Sequence, residues 1–197
     1  MFKKILFLLA TLTVFSCENS TKNSDEILPV IKYMNNGLER EYLLYIPSSA
    51  KQNSPLVFVL HGLGSTNTTI MNYSQMNKVA EKNGFAVCYP QGSKSSEKSM
   101  YTEKGSPFWN VGYEIHKNEK VDDLDFIISL AKHLQKKYGF DPEKTFCSGM
   151  SNGGDMSYLL GCQAPDIFKA IAPITGCMMG WIYESCDQNN PVPVFQV

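Results

Sequence analysis

The chain has 197 residues, of which 43% are hydrophobic and 19% are charged. This composition is typical of one globular domain and excludes a chain that is disordered or membrane-embedded over most of its length. Its 18 basic and 19 acidic residues nearly cancel, leaving a formal net charge of −1 with no basic stripe. Attraction to a phosphate backbone therefore has no obvious source, and nucleic acid is not expected as a partner.

An export signal is predicted over residues 1–17. Lys3 and Lys4 precede an apolar run that is too short to span a bilayer. The run ends at Cys17 in a sequence that resembles a bacterial lipobox, so Cys17 is the predicted lipidation site and the only expected membrane contact is the lipid anchor. The alternative is an ordinary cleaved signal with an incidental cysteine. Polar residues 18–27 are expected to tether an exported, cell-surface domain.

Residues 28–197 alternate short apolar runs with helical periodicity, without an internal repeat. This alternation predicts an α/β domain with a mainly parallel sheet flanked by helices. The predicted elements, in chain order, are a hairpin around Asn36-Gly37, a buried strand at 55–60, a helix from about Tyr73 to Asn83 ended by Gly84, a strand at 85–90, a functional loop at 91–120, a helix from Asp122 or Asp123 to Gly139, a strand at 145–149, a helix at 152–162, and strands at 170–176 and 191–197.

Export would place the cysteines in an oxidising compartment, where disulfides form. Cys88 and Cys147 lie in apolar runs and are expected to be small core residues. The disulfide candidates lie in less regular segments, and the sequence leaves their pairing open: Cys162, Cys177 and Cys186. No spacing typical of a metal site is present, so neither a metal nor a cofactor is expected.

A serine nucleophile is indicated at Ser151. Residues 149–153 form a G-x-S-x-G motif between a predicted strand and a predicted helix. In this context the turn strains the serine backbone, while Gly149 and Gly153 let neighbouring elements pass close by. The helix N-terminus also favours negative charge beside the serine hydroxyl. The alternative is a glycine-rich turn with an incidental serine.

A second, independent motif begins at His61, directly after the buried strand at 55–60. A tetrahedral intermediate needs two donors aimed at its oxyanion, and the backbone N–H groups of Leu63 and Asn152 are predicted to supply them. His61 and Gly62 are expected to support this loop. His61 is not expected to be the general base, because in this type of hydrolase the catalytic histidine follows the serine in the chain.

Every histidine of the chain precedes Ser151. His116 and His133 are expected to be solvated. The acids that follow Ser151 all precede the last predicted strand, where a triad acid would be expected to follow: Asp155, Asp166, Glu184 and Asp187. Without a base the serine is a poor nucleophile. The sequence therefore predicts a truncated chain or a fragment, with weak activity and an uncovered sheet edge that pairs with other chains.

From about Arg40 to its end, the chain resembles the exported esterase family that groups polyhydroxybutyrate depolymerase-like enzymes with feruloyl esterases. The segments that carry this resemblance are REYLLYIP, PLVFVLHG, NGFAVCYPQG, the loop with Trp109, VDDLDFI, the stretch from YGFDPEKTFCSGMSNGG to AIAPITG, and PVPVFQV. In family members, a strand like the last one is followed by His-Gly-Thr, an aspartate and, later, the catalytic histidine. The resemblance implies an α/β-hydrolase fold, incomplete at its C-terminus.

By resemblance, Ser151 is the nucleophile, Leu63 and Asn152 are the oxyanion donors, and Gly149 and Gly153 are the elbow glycines. Two further features have alternative interpretations. Trp109 either stacks on an aromatic acyl group of the substrate or only packs inside the protein. Asp122 with Asp123 is interpreted as the start of a helix rather than as a second acid site.

The implied activity is hydrolysis of an extracellular carboxylic ester, from a feruloylated polysaccharide or a short polyester. Two other functions stay open. One is a non-catalytic carbohydrate-binding surface lipoprotein, and the other is a serine peptidase of the same fold.

Overall fold

A computed structural model describes residues 27–187 and 189–197. The predicted signal, the lipidation site Cys17 and most of the tether lie outside the described residues. The strands are β1 (Ile31–Asn35), β2 (Leu38–Tyr45), β3 (Leu56–Leu60), β4 (Ala86–Pro90), β5 (Ser93–Lys94), β6 (Pro107–Phe108), β7 (Thr145–Met150) and β8 (Ala170–Ile174). The helices are α1 (Asn67–Ser74), α2 (Met76–Asn83), α3 (Asp123–Tyr138), α4 (Asn152–Gln163) and α5 (Gly180–Glu184).

The central sheet has the strand order β1-β2-β4-β3-β7-β8. The strands β4, β3, β7 and β8 are parallel, whereas β1 and β2 pair antiparallel as a leading hairpin. Asn36 and Gly37 both have positive φ angles, 47° and 80°, as the predicted tight turn requires. Apolar side chains bury both faces of the parallel strands. The predicted α/β architecture with flanking helices is confirmed.

The helix predicted from Tyr73 to Asn83 is wrong in its extent, because two helices occupy this region. α1 begins earlier, where the Thr66 hydroxyl accepts a hydrogen bond from the Thr69 N–H. Gln75, at a φ of 52°, separates α1 from α2. α1 is largely polar and buries few apolar side chains, so it lacks the periodicity that predicts a helix. Gly84 ends α2 as predicted.

Helix α3 agrees with its predicted bounds, and the Asp122 carboxylate caps it by accepting a hydrogen bond from the Asp125 N–H. Asp123 is buried and forms an ion pair of 2.6 Å with Arg40 of β2. It also accepts hydrogen bonds from the Ser93 hydroxyl and the Asn110 N–H. The two aspartates therefore have structural contacts, in agreement with the interpretation as a helix start.

The last predicted strand lies beside β8, and its backbone pairs in parallel through a bridge between Ile171 and Val194. Three of its backbone hydrogen bonds reach β8 residues, from the Ile171 N–H to Pro193 and from the Phe195 and Val197 N–H groups to β8 carbonyls. A fourth bond runs from the Thr175 N–H to the Val197 carbonyl, so the segment is an edge strand that pairs with the β8 side along its length.

Two of the three disulfide candidates pair, because Cys162 at the end of α4 is bonded to Cys186 after α5. Cys88 and Cys147 are buried and free, as predicted for core residues, and Cys177 is exposed and free. Within residues 27–187 and 189–197, no helix has the length and apolar character needed to cross a bilayer.

Candidate active site

Ser151 occupies the turn between β7 and α4, in a strained backbone conformation with φ 52° and ψ −120°. Its side chain is exposed, while Asn152, the first residue of the helix, is buried. The N–H of Ser151 donates to the carbonyl of Ile174 at the end of β8, which fixes the turn to the neighbouring strand. The geometry is that of a nucleophile elbow.

The two motif glycines are required by close backbone contacts. A Cβ on Gly149 would lie 2.3 Å from the carbonyl oxygen of Gly153. A Cβ on Gly153 would lie 2.6 Å from the carbonyl oxygens of both Leu60 and His61. The start of α4 therefore lies directly against the end of β3, where the predicted oxyanion loop begins.

The oxyanion loop lies beside the nucleophile. A Cβ on Gly62 would lie 3.6 Å from Ser151 Cβ and 3.4 Å from the Met150 carbonyl oxygen. Within the described part of the chain, the Leu63 N–H has no hydrogen-bond acceptor. As the first helical residue, Asn152 has no intrahelical acceptor for its own N–H. The structure thus brings the serine close to a loop with a free backbone donor.

His61 is buried and both of its ring nitrogens are in use. The Gly92 N–H donates to Nε2 at 2.9 Å, so the ring proton lies on Nδ1, which is 2.9 Å from the Gly62 carbonyl oxygen. Burial lowers the pKa of His61 to about 4. The neutral ring joins the predicted oxyanion loop to the segment after β4, a contact that is compatible with the supporting role predicted for His61.

The expected solvation of His116 is wrong, because its side chain is only 2% exposed. Its ring packs on Phe108 at a centroid distance of 3.9 Å, and neither ring nitrogen has a hydrogen-bond partner in the described residues. Burial lowers its pKa. His133 is half-buried on α3 against Tyr33, with ring centroids 5.2 Å apart. None of the chain's three histidines is hydrogen-bonded to Ser151.

The geometry around Trp109 favours packing over a contact with substrate. The indole is completely buried beside His61, with ring centroids 4.9 Å apart, so it has no face open to an aromatic acyl group. Its N–H donates to the His61 carbonyl at 2.8 Å. Sequence reasoning placed Trp109 in a loop over the site, but the loop folds inward beneath the oxyanion motif.

Asp155, which the sequence indicates only as one of the acids after Ser151, is a buried residue beside the site whose contacts sequence reasoning missed. It lies in the first turn of α4, where its carboxylate accepts a hydrogen bond from the Tyr113 hydroxyl and another, of 2.7 Å, from the Cys177 N–H. Burial and the bond to Asp155 raise the pKa of Tyr113. The only signal in the sequence is the spacing of four residues from Ser151, which places Asp155 on the same helix face.

Comparison with known proteins is consistent with this geometry, since residues 40–189 match the family model described as Esterase PHB depolymerase. The chain belongs to this esterase family. It is 27% identical over 165 residues to a bifunctional acetylxylan esterase/xylanase from Neocallimastix patriciarum, covering 82% of this chain and 21% of that protein. It is 24% identical to feruloyl esterase B from Thermothelomyces thermophilus, covering 77% of this chain and 49% of that protein.

The solved structures show the fold of the family. The acetyl xylan esterase from Aspergillus awamori matches with a TM-score of 0.59 and 22% identity, covering 83% of this chain and 57% of that chain. The S-formylglutathione hydrolase from Staphylococcus aureus matches with a TM-score of 0.57 and 17% identity, covering 82% of this chain and 61% of that chain. The chain is an α/β-hydrolase that spans less than half the length of the curated esterases named above.

The geometry of the site is compatible with the predicted nucleophile and oxyanion donors. Within residues 27–187 and 189–197, no three His, Cys, Asp or Glu side chains are grouped closely enough to hold a metal ion. A helix N-terminus with an exposed serine, beside a loop that has a free backbone N–H, is suited to stabilising the negative charge of a tetrahedral intermediate. This arrangement can support acyl transfer.

Proposed function

We propose that the protein is a serine carboxylic ester hydrolase that forms an acyl-enzyme on Ser151. The observation that carries the proposal is the strained, exposed Ser151 beside a loop whose Leu63 N–H is free. Membership of an esterase family supports it independently.

In the proposed reaction, Ser151 Oγ bonds to the ester carbonyl carbon, and the carbonyl oxygen becomes an oxyanion bound by the Leu63 and Asn152 N–H groups. The bond from carbon to the alcohol oxygen then breaks, and the alcohol leaves with the proton from the serine. Water attacks the acyl-serine in the second half, which releases the acid and restores the hydroxyl. No step requires a metal or a redox cofactor.

The proposed substrate is an extracellular ester, linked to a polysaccharide as a feruloyl group or present in a short polyester. Relatives with the names acetylxylan esterase, feruloyl esterase and poly(3-hydroxyalkanoate) depolymerase support this class. Export through residues 1–17, with lipidation of Cys17 and a tether to residue 27, belongs to the same proposal. The Cys162–Cys186 disulfide supports it, because disulfides persist in oxidising compartments.

The proposed reaction requires a general base, and we propose that none of the three histidines of the chain supplies it, because each is held away from Ser151. His61 uses both ring nitrogens, His116 is buried against Phe108, and His133 on α3 packs on Tyr33 of β1. We therefore expect the chain alone to hydrolyse 4-nitrophenyl acetate near the background rate.

The test is labelling of Ser151 with a fluorophosphonate, with and without added imidazole as a diffusible base. We expect slow labelling of the unmodified chain, faster labelling with imidazole, and none in Ser151→Ala, with peptide mapping to locate the adduct. Absence of Ser151-dependent labelling under both conditions would contradict the esterase and favour a non-catalytic surface protein. Rapid ester turnover without imidazole would show that the chain contains its own base.

A further inference from the structure

Trp109 lies between the two parts of the chain that provide the oxyanion donors. Its backbone and the Asn152 side chain are joined by a reciprocal pair of hydrogen bonds: the Trp109 N–H donates to Asn152 Oδ1 at 2.7 Å, and Asn152 Nδ2 donates to the Trp109 carbonyl at 3.1 Å. Asn152 is the residue whose own N–H is the donor on the nucleophile side.

The Trp109 side chain is bonded to the other donor segment, the loop that contains Leu63. Its indole N–H donates to the His61 carbonyl, two residues before Leu63, which carries the second donor. A further backbone bond of 2.8 Å joins the Gly64 N–H to the Pro107 carbonyl, two residues before Trp109. The segment 107–109 is therefore bonded on both sides of Leu63 and to Asn152.

The residues joined by the Trp109 bonds are buried, whereas Gly64 is exposed and Pro107 is half-buried. Trp109 and His61 have no exposed surface, and Asn152 is 1% exposed. A buried polar group that loses its partner costs about 1–3 kcal/mol, so the three elements resist separate movement. Oxyanion stabilisation depends on donor positions fixed before the reaction, and small displacements reduce it strongly.

We propose that Trp109 is a positioning residue that sets the separation of the Leu63 and Asn152 N–H groups. This inference rests on the proposed function, in which those groups bind the oxyanion. Trp109 does not touch the substrate. It acts through the indole bond to His61 and through its backbone bonds to the Asn152 side chain.

The experiment compares Trp109→Phe, which removes the indole N–H and keeps an aromatic ring, with the unmodified chain. The matched control is Phe168→Leu, a change of a buried aromatic in the core, where Phe168 contacts Phe58. Fluorophosphonate labelling of Ser151 is measured with imidazole over a range of reagent concentrations, which separates reversible binding from the bond-forming rate constant. Amide hydrogen exchange of Gly64 is measured on the same samples.

For Trp109→Phe we expect a bond-forming rate constant about 10-fold lower, unchanged reversible binding, and faster exchange at Gly64. For Phe168→Leu we expect lower global stability with neither effect. A second variant, Asn152→Ala, keeps the backbone donor but loses the pair with Trp109, and is expected to behave like Trp109→Phe.

Two results would overturn the inference: unchanged labelling in Trp109→Phe, or equal slowing in Phe168→Leu. If the unmodified chain shows no Ser151-dependent labelling, the proposed function fails. Exchange at Gly64 then decides by itself whether Trp109 positions the loop, and unchanged exchange overturns the inference.

Discussion

The turn around Ser151 and the edge beside β8 belong to the same sheet but are held by different means. At the turn, backbone lies against backbone, with a Gly153 Cβ position 2.6 Å from two carbonyl oxygens. At the edge, the strand around Val194 pairs with β8 on one side only within the described residues, and Phe195 is 72% exposed. A cross-link between Cys162 and Cys186 holds α5 near this edge.

The difference shows that the packing of the chain is most constrained at the turn around Ser151. The turn tolerates almost no added atom, because its neighbours are backbone groups that cannot rotate away. The edge has exposed apolar side chains and an outer side without a paired strand among the described residues, so it tolerates substitution but remains open to other chains. Four changes test this contrast, and their expected effects on stability decrease from the turn to the edge.

The largest effect is expected for Gly153→Ala. The added methyl group would meet the Leu60 and His61 carbonyl oxygens, so α4 has to move away from β3. We expect a loss of about 3 kcal/mol or more in the free energy of unfolding, measured by urea denaturation. The matched control is Gly180→Ala at the start of α5, where no atom lies within 4 Å of the added Cβ. Equal stability of the two variants would contradict the tight packing of the turn.

The next effect is expected for loss of the disulfide, tested with Cys162→Ser and Cys186→Ser together. The bond closes a loop with a sequence separation of 24, and its loss increases the entropy of the unfolded chain. We expect a loss of about 2–3 kcal/mol, measured by thermal and urea unfolding. Cys177→Ser is the control, since this thiol is free and exposed. Equal stability of the double variant and the control would mean that packing alone holds α5.

Local patterns in the sequence predicted most of the fold and the centre of the site. The strands around the turn are continuous apolar runs, and the motif of Ser151 lies within five residues, so both are visible without knowledge of distant contacts. The Cys162 pairing remained open because three candidates were equivalent in sequence. The predictions about residues 1–26 stay predictions.

The contacts that sequence reasoning missed join residues far apart in the chain. Tyr113 and Asp155 are 42 residues apart, and Trp109 and His61 are 48 apart. A polar loop with isolated aromatic residues has no periodicity that shows which side chains turn inward. The burial of His116 and Trp109 is therefore a property of how the loop folds over the sheet, and it was not readable from their neighbours.

A smaller effect is expected from pH. His61 has a pKa of about 4 in the folded protein against 6.5 in an unfolded chain, so the unfolded state binds more protons between these values. The contribution of His61 to the free energy of unfolding is therefore fully present well above pH 6.5, and it is lost as the pH drops towards 4. We expect a loss of about 1–2 kcal/mol between pH 7 and pH 5, measured by urea denaturation at constant salt.

The buried His116 also has a lowered pKa and contributes in the same direction. The variant His116→Phe separates the contributions of the two histidines to the pH dependence, because it removes the imidazole of His116 and keeps that of the fully buried His61. We expect this variant to keep most of the loss between pH 7 and pH 5. Constant stability over this range would show that His61 titrates normally and that its ring is not held neutral in the folded loop.

The smallest effect on stability is expected at the edge, for Phe195→Lys. The side chain is 72% exposed, so its replacement should change the free energy of unfolding by no more than about 0.5 kcal/mol. Its effect on association should be larger, because the outward N–H groups of Val194 and Gln196 have no backbone partner within the described residues. A charge beside these groups opposes pairing with a second chain.

We expect sedimentation velocity to show more monomer for Phe195→Lys than for the unmodified chain at equal concentration. Tyr73→Lys is the matched control, since Tyr73 is an aromatic residue that is 73% exposed on α1, away from the edge. Both variants gain one positive charge, so a general effect of charge on solubility appears in both. If Tyr73→Lys raises the monomer fraction equally, association does not occur through the edge, and the contrast with the turn concerns stability alone.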